Sequence, residues 1–118
     1  MNDSVLRTKS KAFAKNIVLL CRKLKDERVE TALLNQLLRA GTSVGANVHE
    51  AQYAQGTKDF VSKFEIALKE CNESEYWLEL LKDTDCLSEE DYFSFQNACI
   101  ELRRMLVASV TTLKNSQS

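Results

Sequence analysis

The chain contains no proline and only three glycines in 118 residues, Gly41, Gly45 and Gly56. With so few breakers, little forces a helix to stop early, and a mostly helical chain is expected. There is one histidine, His49. A di-iron bundle needs Glu-x-x-His pairs on two helices, and here Ala46 stands three residues before His49. His49 therefore reads as a surface or interface residue. The four cysteines, Cys21, Cys71, Cys86 and Cys99, include no CxxC pair. They read as packed free thiols in a reducing compartment. Gly41 and Gly45 lack the Lys-Ser/Thr and the preceding strand of a phosphate loop. No apolar run approaches the length of a membrane span, and the opening MNDSVLRTKSK has no apolar segment. Neither anchor nor secretory signal is expected, and the expected location is cytoplasmic. The acids Glu70, Glu73, Glu75 and Glu79 read as a solvated helix face. No metal, no cofactor and no catalysis are expected.

What the chain does have is a persistent helical rhythm. Its length makes one domain, residues 1–118, large enough to bury a core without staples. Leu6, Ser10, Phe13, Ile17, Leu20 and Leu24 alternate steps of four and three, which predicts a helix over about 4–25. Leu34, Leu37, Gly41, Val44, Val48 and Ala51 continue the rhythm over about 30–54. The apolar phase passes unbroken through Gly41–Gly45, which a loop would have no reason to preserve, so one continuous helix is expected. Gly56 suits a left-handed position closing that helix, with Thr57 as the cap of the next. The third helix, about 58–83, carries Phe60, Phe64, Ala67, Cys71, Ser74, Leu78 and Leu81 inward, with Glu65 and Lys69 spaced for an ion pair. Ser88, followed by Glu89, Glu90 and Asp91, is a strong start signal for a fourth over about 89–114, which carries Tyr92, Phe95, Cys99, Leu102, Leu106 and Leu113 inward, with a fraying tail from Asn115. Four helices with short connections predict an all-α, antiparallel up-down-up-down four-helix bundle.

Charge is nearly balanced overall at −1 but unevenly placed. Residues 1–28 hold eight Lys/Arg against three Asp/Glu, and residues 29–118 hold eight against fourteen. Arg7, Lys11, Lys15 and Arg22 form one stripe on the first helix. Either it follows phosphates, or it is the basic partner of an acidic third helix. On the second helix Gln36, Arg39, Ser43, Asn47 and Glu50 fall together opposite the leucines. This face is either simply solvated or a second packing surface, where polar groups set subunit register. Tyr76 and Trp77 are adjacent and point about 100° apart. One belongs to the core, and Tyr76 is the candidate for an intersubunit contact.

The central segments LLRAGTSVGANVHEA and DFVSKFEIALKECNESEYWLELL resemble the bacterial four-helix-bundle proteins encoded in intervening sequences of 23S ribosomal RNA genes. The accessory protein of diversity-generating retroelements is a relative of that family. The matching positions are Arg39, Ser43, Gly45, Asn47 and Glu50, then Phe60, Glu75 and Leu78. His49 and Ala51 depart from the pattern, which has a small residue and glycine there. The overall charge also departs, because the retroelement accessory is strongly basic. The resemblance implies a four-helix bundle assembling into a homopentameric ring, with no enzyme activity. Two classes of function follow. One is a nucleic-acid-binding accessory contacting RNA or DNA through the first helix. The other is a protein scaffold presenting acidic surfaces of the third and fourth helices to a protein partner.

Overall fold

The computed structural model describes residues 3–116, which form four helices: α1 (Asp3–Asp26), α2 (Thr31–Ala51), α3 (Thr57–Asp83) and α4 (Glu89–Ser116). Connections of four or five residues leave consecutive helices no option but to reverse direction, which produces the all-α, up-down-up-down bundle. α1 packs beside α2 and α4, and α3 packs beside α2 and α4, so α1 and α3 sit on opposite corners. The seam between α1 and α4 is the loosest of the four. This order corrects one expectation. The basic first helix does not lie beside the acidic third helix; the core separates them.

The apolar stripes read from sequence all face inward. Ile17, Leu37, Val44, Ala67, Leu78 and Leu106 are fully enclosed, while Phe60, Phe95 and Leu113 sit at the core's margin. Two buried hydroxyls return to carbonyls one turn back, Ser10 Oγ to Arg7 O at 3.2 Å and Ser74 Oγ to Glu70 O at 2.8 Å. Neither therefore leaves an unmet polar group in the core.

α2 is continuous through both glycines. Their role is steric. A Cβ on Gly41 would stand 2.8 Å from Ile17 Cγ1, and one on Gly45 would stand 3.1 Å from the Ser10 carbonyl oxygen. The lost helix propensity of two glycines, about 1 kcal/mol each, is offset by the close approach of α1 and α2 that it permits.

The turns differ from the sequence expectation. Left-handed residues close α1 and α3, but they are Arg28 (φ 65) and Asp85 (φ 62) rather than glycine. In each case a six-to-one bond follows, Val29 N–H to Leu24 O at 3.0 Å and Cys86 N–H to Leu81 O at 2.8 Å. Val29 and Cys86 then pack on the core, completing the C-terminal motif. α2 ends at Ala51, three residues before the expected 54, because bonds from Gln52, Tyr53 and Ala54 tighten to the residue three back. Gly56 does not close α2. With φ 140 and ψ 175 it is the N-cap of α3, a conformation open essentially to glycine alone. Thr57 is the first helical residue, and Asp59 Oδ2 accepts from the Gln55 N–H at 3.1 Å. Ser88 caps α4 as expected, its Oγ accepting from Asp91 N–H at 3.1 Å. α4 stays helical through Asn115 and Ser116; the last two residues of the expected frayed tail lie outside the described residues.

Two predictions follow from this packing. Gly41→Ala gains about 1 kcal/mol of propensity but overpacks against Ile17 at a cost of about 1–3 kcal/mol, so urea unfolding should show a net loss. Ile17→Ala alone should lose about 2–5 kcal/mol, and the double variant should lose less than the sum. Strict additivity would mean that the two side chains do not meet. The second prediction concerns the thiols. Burial pushes the Cys21 thiol up to about 11, and Cys99 is raised by its contact with the Cys71 thiol and by burial. Iodoacetamide at mildly alkaline pH should modify the half-buried Cys86 first. The Cys71 thiol is lowered by its hydrogen bond with Cys99 but is fully enclosed, so it should react, like Cys21 and Cys99, only on unfolding. Peptide mapping would read the order.

Candidate nucleic-acid interface

Because α1 buries Leu6, Phe13, Ile17 and Leu24, its cations are forced to the flanks and the outer face. The two flanks differ. On the α4 side, Lys9 meets Glu101 at 2.9 Å and Lys23 meets Asp91 at 4.0 Å. Arg7, Lys11, Lys15 and Arg22 are all exposed and span about 22 Å of helix at 1.5 Å per residue. No carboxylate pairs with these four or with Lys25 among the described residues. Arg7 Nη1 instead donates to Gln52 Oε1 at 2.6 Å, which ties α1 to the end of α2.

Two hollows follow the α1–α2 seam. One, about 530 Å³, is lined by Arg7, Thr8, Lys11, Thr42, Ala46 and His49 among others. The second, about 300 Å³, includes Arg22, Lys25, Thr31, Asn35 and Leu38. Among the described residues no carboxylate lines either hollow. Lys15 is exposed on α1 but lines neither.

His49 lines the larger hollow, and its ring centroid lies 5.6 Å from that of Tyr53, tilted by 57°. Tyr53 is 74% exposed, more than any other large apolar side chain described. Sequence reasoning passed over Tyr53. The one signal available was its spacing of four from His49, which brings two rings to one side of a helical turn.

The other flank of α2 faces α3. Arg39 donates to Glu70 Oε2 at 2.7 Å and to Glu73, and Trp77 Nε1 donates to the same Glu73 oxygen at 3.2 Å. The Glu70 hydrogen bond raises the Arg39 guanidinium above its ordinary value. Tyr76 stacks edge-on against Trp77 at 5.0 Å and is 60% exposed, while Trp77 is half-buried. Arg39 and Tyr76 thus belong to one connected patch. Glu50 reaches Lys63 at 3.6 Å. Ser43 Oγ donates to Arg39 O at 2.6 Å, and the Asn47 amide donates to Ser43 O at 2.9 Å, so both are turned onto their own helix. Gln36 is exposed.

Four acids of α3, Glu65, Glu70, Glu73 and Glu75, are engaged by cations of α2 and α4. Glu75 accepts from Arg103, and Glu65 pairs with Lys114 at 3.3 Å across to α4, not with Lys69 as the spacing suggested. Among the described residues no group of three or more His, Cys, Asp or Glu side chains could hold a metal ion. None of the described helices is long and apolar enough to cross a membrane.

This bundle has known counterparts. Among solved structures the chain is similar to a protein of unknown function from the S23 ribosomal protein family of Bacteroides thetaiotaomicron. The two are 45% identical, the match covers 94% of this chain and 99% of that one, and the TM-score is 0.91. No curated protein matches the chain. The 23S rRNA-intervening sequence protein family matches residues 2–108, from α1 into the second half of α4. With that match spanning nearly the whole bundle, the chain belongs to the 23S rRNA-intervening sequence protein family.

Proposed function

We propose that this protein is a non-enzymatic, homo-oligomeric accessory that binds RNA or DNA through phosphate contacts along the α1–α2 seam. One observation carries the reading: among the described residues the seam presents Arg7, Lys11, Arg22 and Lys25 with no carboxylate partner and none lining its hollows, while Lys9 and Lys23 on the α4 flank are paired. A protein of net charge −1 draws no polyanion by its overall field, so a local track of one sign must supply the attraction. Neutralised phosphates release counterions, which drives binding without reading sequence. Assembly into a ring repeats the track, so that several weak contacts act on one strand. The proposed ring is the homopentamer that the family resemblance implies. The exposed Tyr76 and Gln36, beside the Arg39–Glu73–Trp77 patch, are the surface proposed to meet the next subunit. The acidic outer surfaces of α3 and α4 support the alternative, a scaffold for a protein partner.

Labelled oligonucleotides should bind with micromolar-order affinity at physiological salt. The logarithm of affinity should fall against that of salt with a slope of about −3 for the four α1 cations. Lys11→Glu combined with Lys15→Glu should abolish the shift without changing the oligomer. No shift at low salt would leave the scaffold reading standing. Multi-angle light scattering should give five times the 13.4 kDa chain mass, and Tyr76→Arg should lower it. A monomer at micromolar concentration would remove the ring.

A further inference from the structure

We infer that the His49–Tyr53 ring pair is a stacking platform for an unpaired base, so that the α1–α2 seam takes single-stranded rather than duplex nucleic acid. The inference rests on the phosphate-binding reading above and adds to it the form of strand that is bound.

The first observation is exposure without disorder of the backbone beneath. Tyr53 keeps 74% of its surface open, yet its N–H is bonded to Glu50 O at 3.0 Å in the tightened turn after α2. A tyrosine ring held this way has only two side-chain torsions to settle, so presenting it to a ligand costs little entropy. The second observation is that the ring is not alone. His49, also exposed, lies against it at 5.6 Å and lines the larger hollow of the seam. A lone exposed aromatic is ordinary on a protein surface, but two rings beside a cationic hollow are a different arrangement.

The third observation is where the charge stands. Arg7 and Lys11 line the same hollow as His49, and Arg7 is tied to Gln52, the residue preceding Tyr53. A nucleotide at this place would set its phosphate on Arg7 and Lys11 and turn its base toward His49 and Tyr53. Thr42 and Ala46 line the same hollow on the α2 side. In a duplex both faces of each internal base are covered by its neighbours, and only an unpaired base can offer a face to protein rings. Every base has such a face, so the platform selects strand form without selecting sequence. It also supplies the aromatic neighbour that α1 by itself lacks, since Phe13 is buried.

The test uses the full-length protein and fluorescence anisotropy with three labelled probes: oligouridine, oligothymidine and a long blunt duplex. Both single strands should bind about tenfold more tightly than the duplex. They should agree with each other within about threefold, because ring stacking does not read the 2′-hydroxyl. Tyr53→Ala should weaken single-strand binding about tenfold, leave duplex binding and the salt slope unchanged, and be rescued by Tyr53→Phe. Equal binding of strand and duplex, with Tyr53→Ala silent, would overturn the platform while the phosphate track stands. A large gap between the two single strands would mean that the sugar is read instead of the base face, and would also overturn it. No binding by any probe at low salt would overturn the track and the platform together.

Discussion

The close approach of α1 and α2 at Gly41 and Gly45 is the constraint on which the rest of the bundle depends. With the Ile17 side chain at van der Waals limit over one glycine and the Ser10 carbonyl over the other, there is no slack for α1 to slide or rotate. That contact sets the rotation of α1, and rotation decides which of its cations face α2 and which face α4. It also brings Arg7 to the end of α2, within reach of Gln52. A wider separation would let Ile17 and Phe13 keep their burial but would spread the hollow that Arg7, Lys11 and His49 share.

Charge follows from this geometry rather than from composition. Glu65, Glu70, Glu73 and Glu75 of α3 are bound by partners on α2 and α4, namely Lys114, Arg39 and Arg103. These ion pairs are partly exposed, so solvent screening leaves them a small share of the stability. Their larger effect is on what is left over. Lys9 and Lys23 are drawn to α4, and among the described residues the cations facing α2 have no acidic partner. A nearly neutral chain thereby carries one basic seam and, across the core, an acidic helix.

The turns illustrate where local sequence rules reach their limit. Glycine is the cheapest residue at a left-handed helix end, so Gly56 was the natural candidate to close α2. Arg28 and Asp85 take that conformation instead, because Val29 and Cys86 beyond them gain core contact that offsets the strain. Gly56 serves a backbone angle that neither of its neighbours could adopt easily. The early end of α2 leaves Tyr53 out of the helix and on an exposed turn.

The number of helices, their continuity through Gly41–Gly45 and nearly every inward residue were determined by the sequence alone. Periodicity is a property of a single segment, and burial of an apolar stripe does not depend on which neighbour covers it. The identity of the neighbours was decided only in the tertiary structure. From sequence, the basic stripe of α1 could equally have faced phosphates or the acids of α3. The bundle order places α3 on the far corner, so within one chain the stripe does not face those acids. The meeting of Arg7 and Lys11 from α1 with His49 of α2 in one hollow was likewise invisible in the chain. Those residues lie some forty positions apart, and what brings them together is the absence of two Cβ atoms at a helix crossing, a steric fact that no local pattern records.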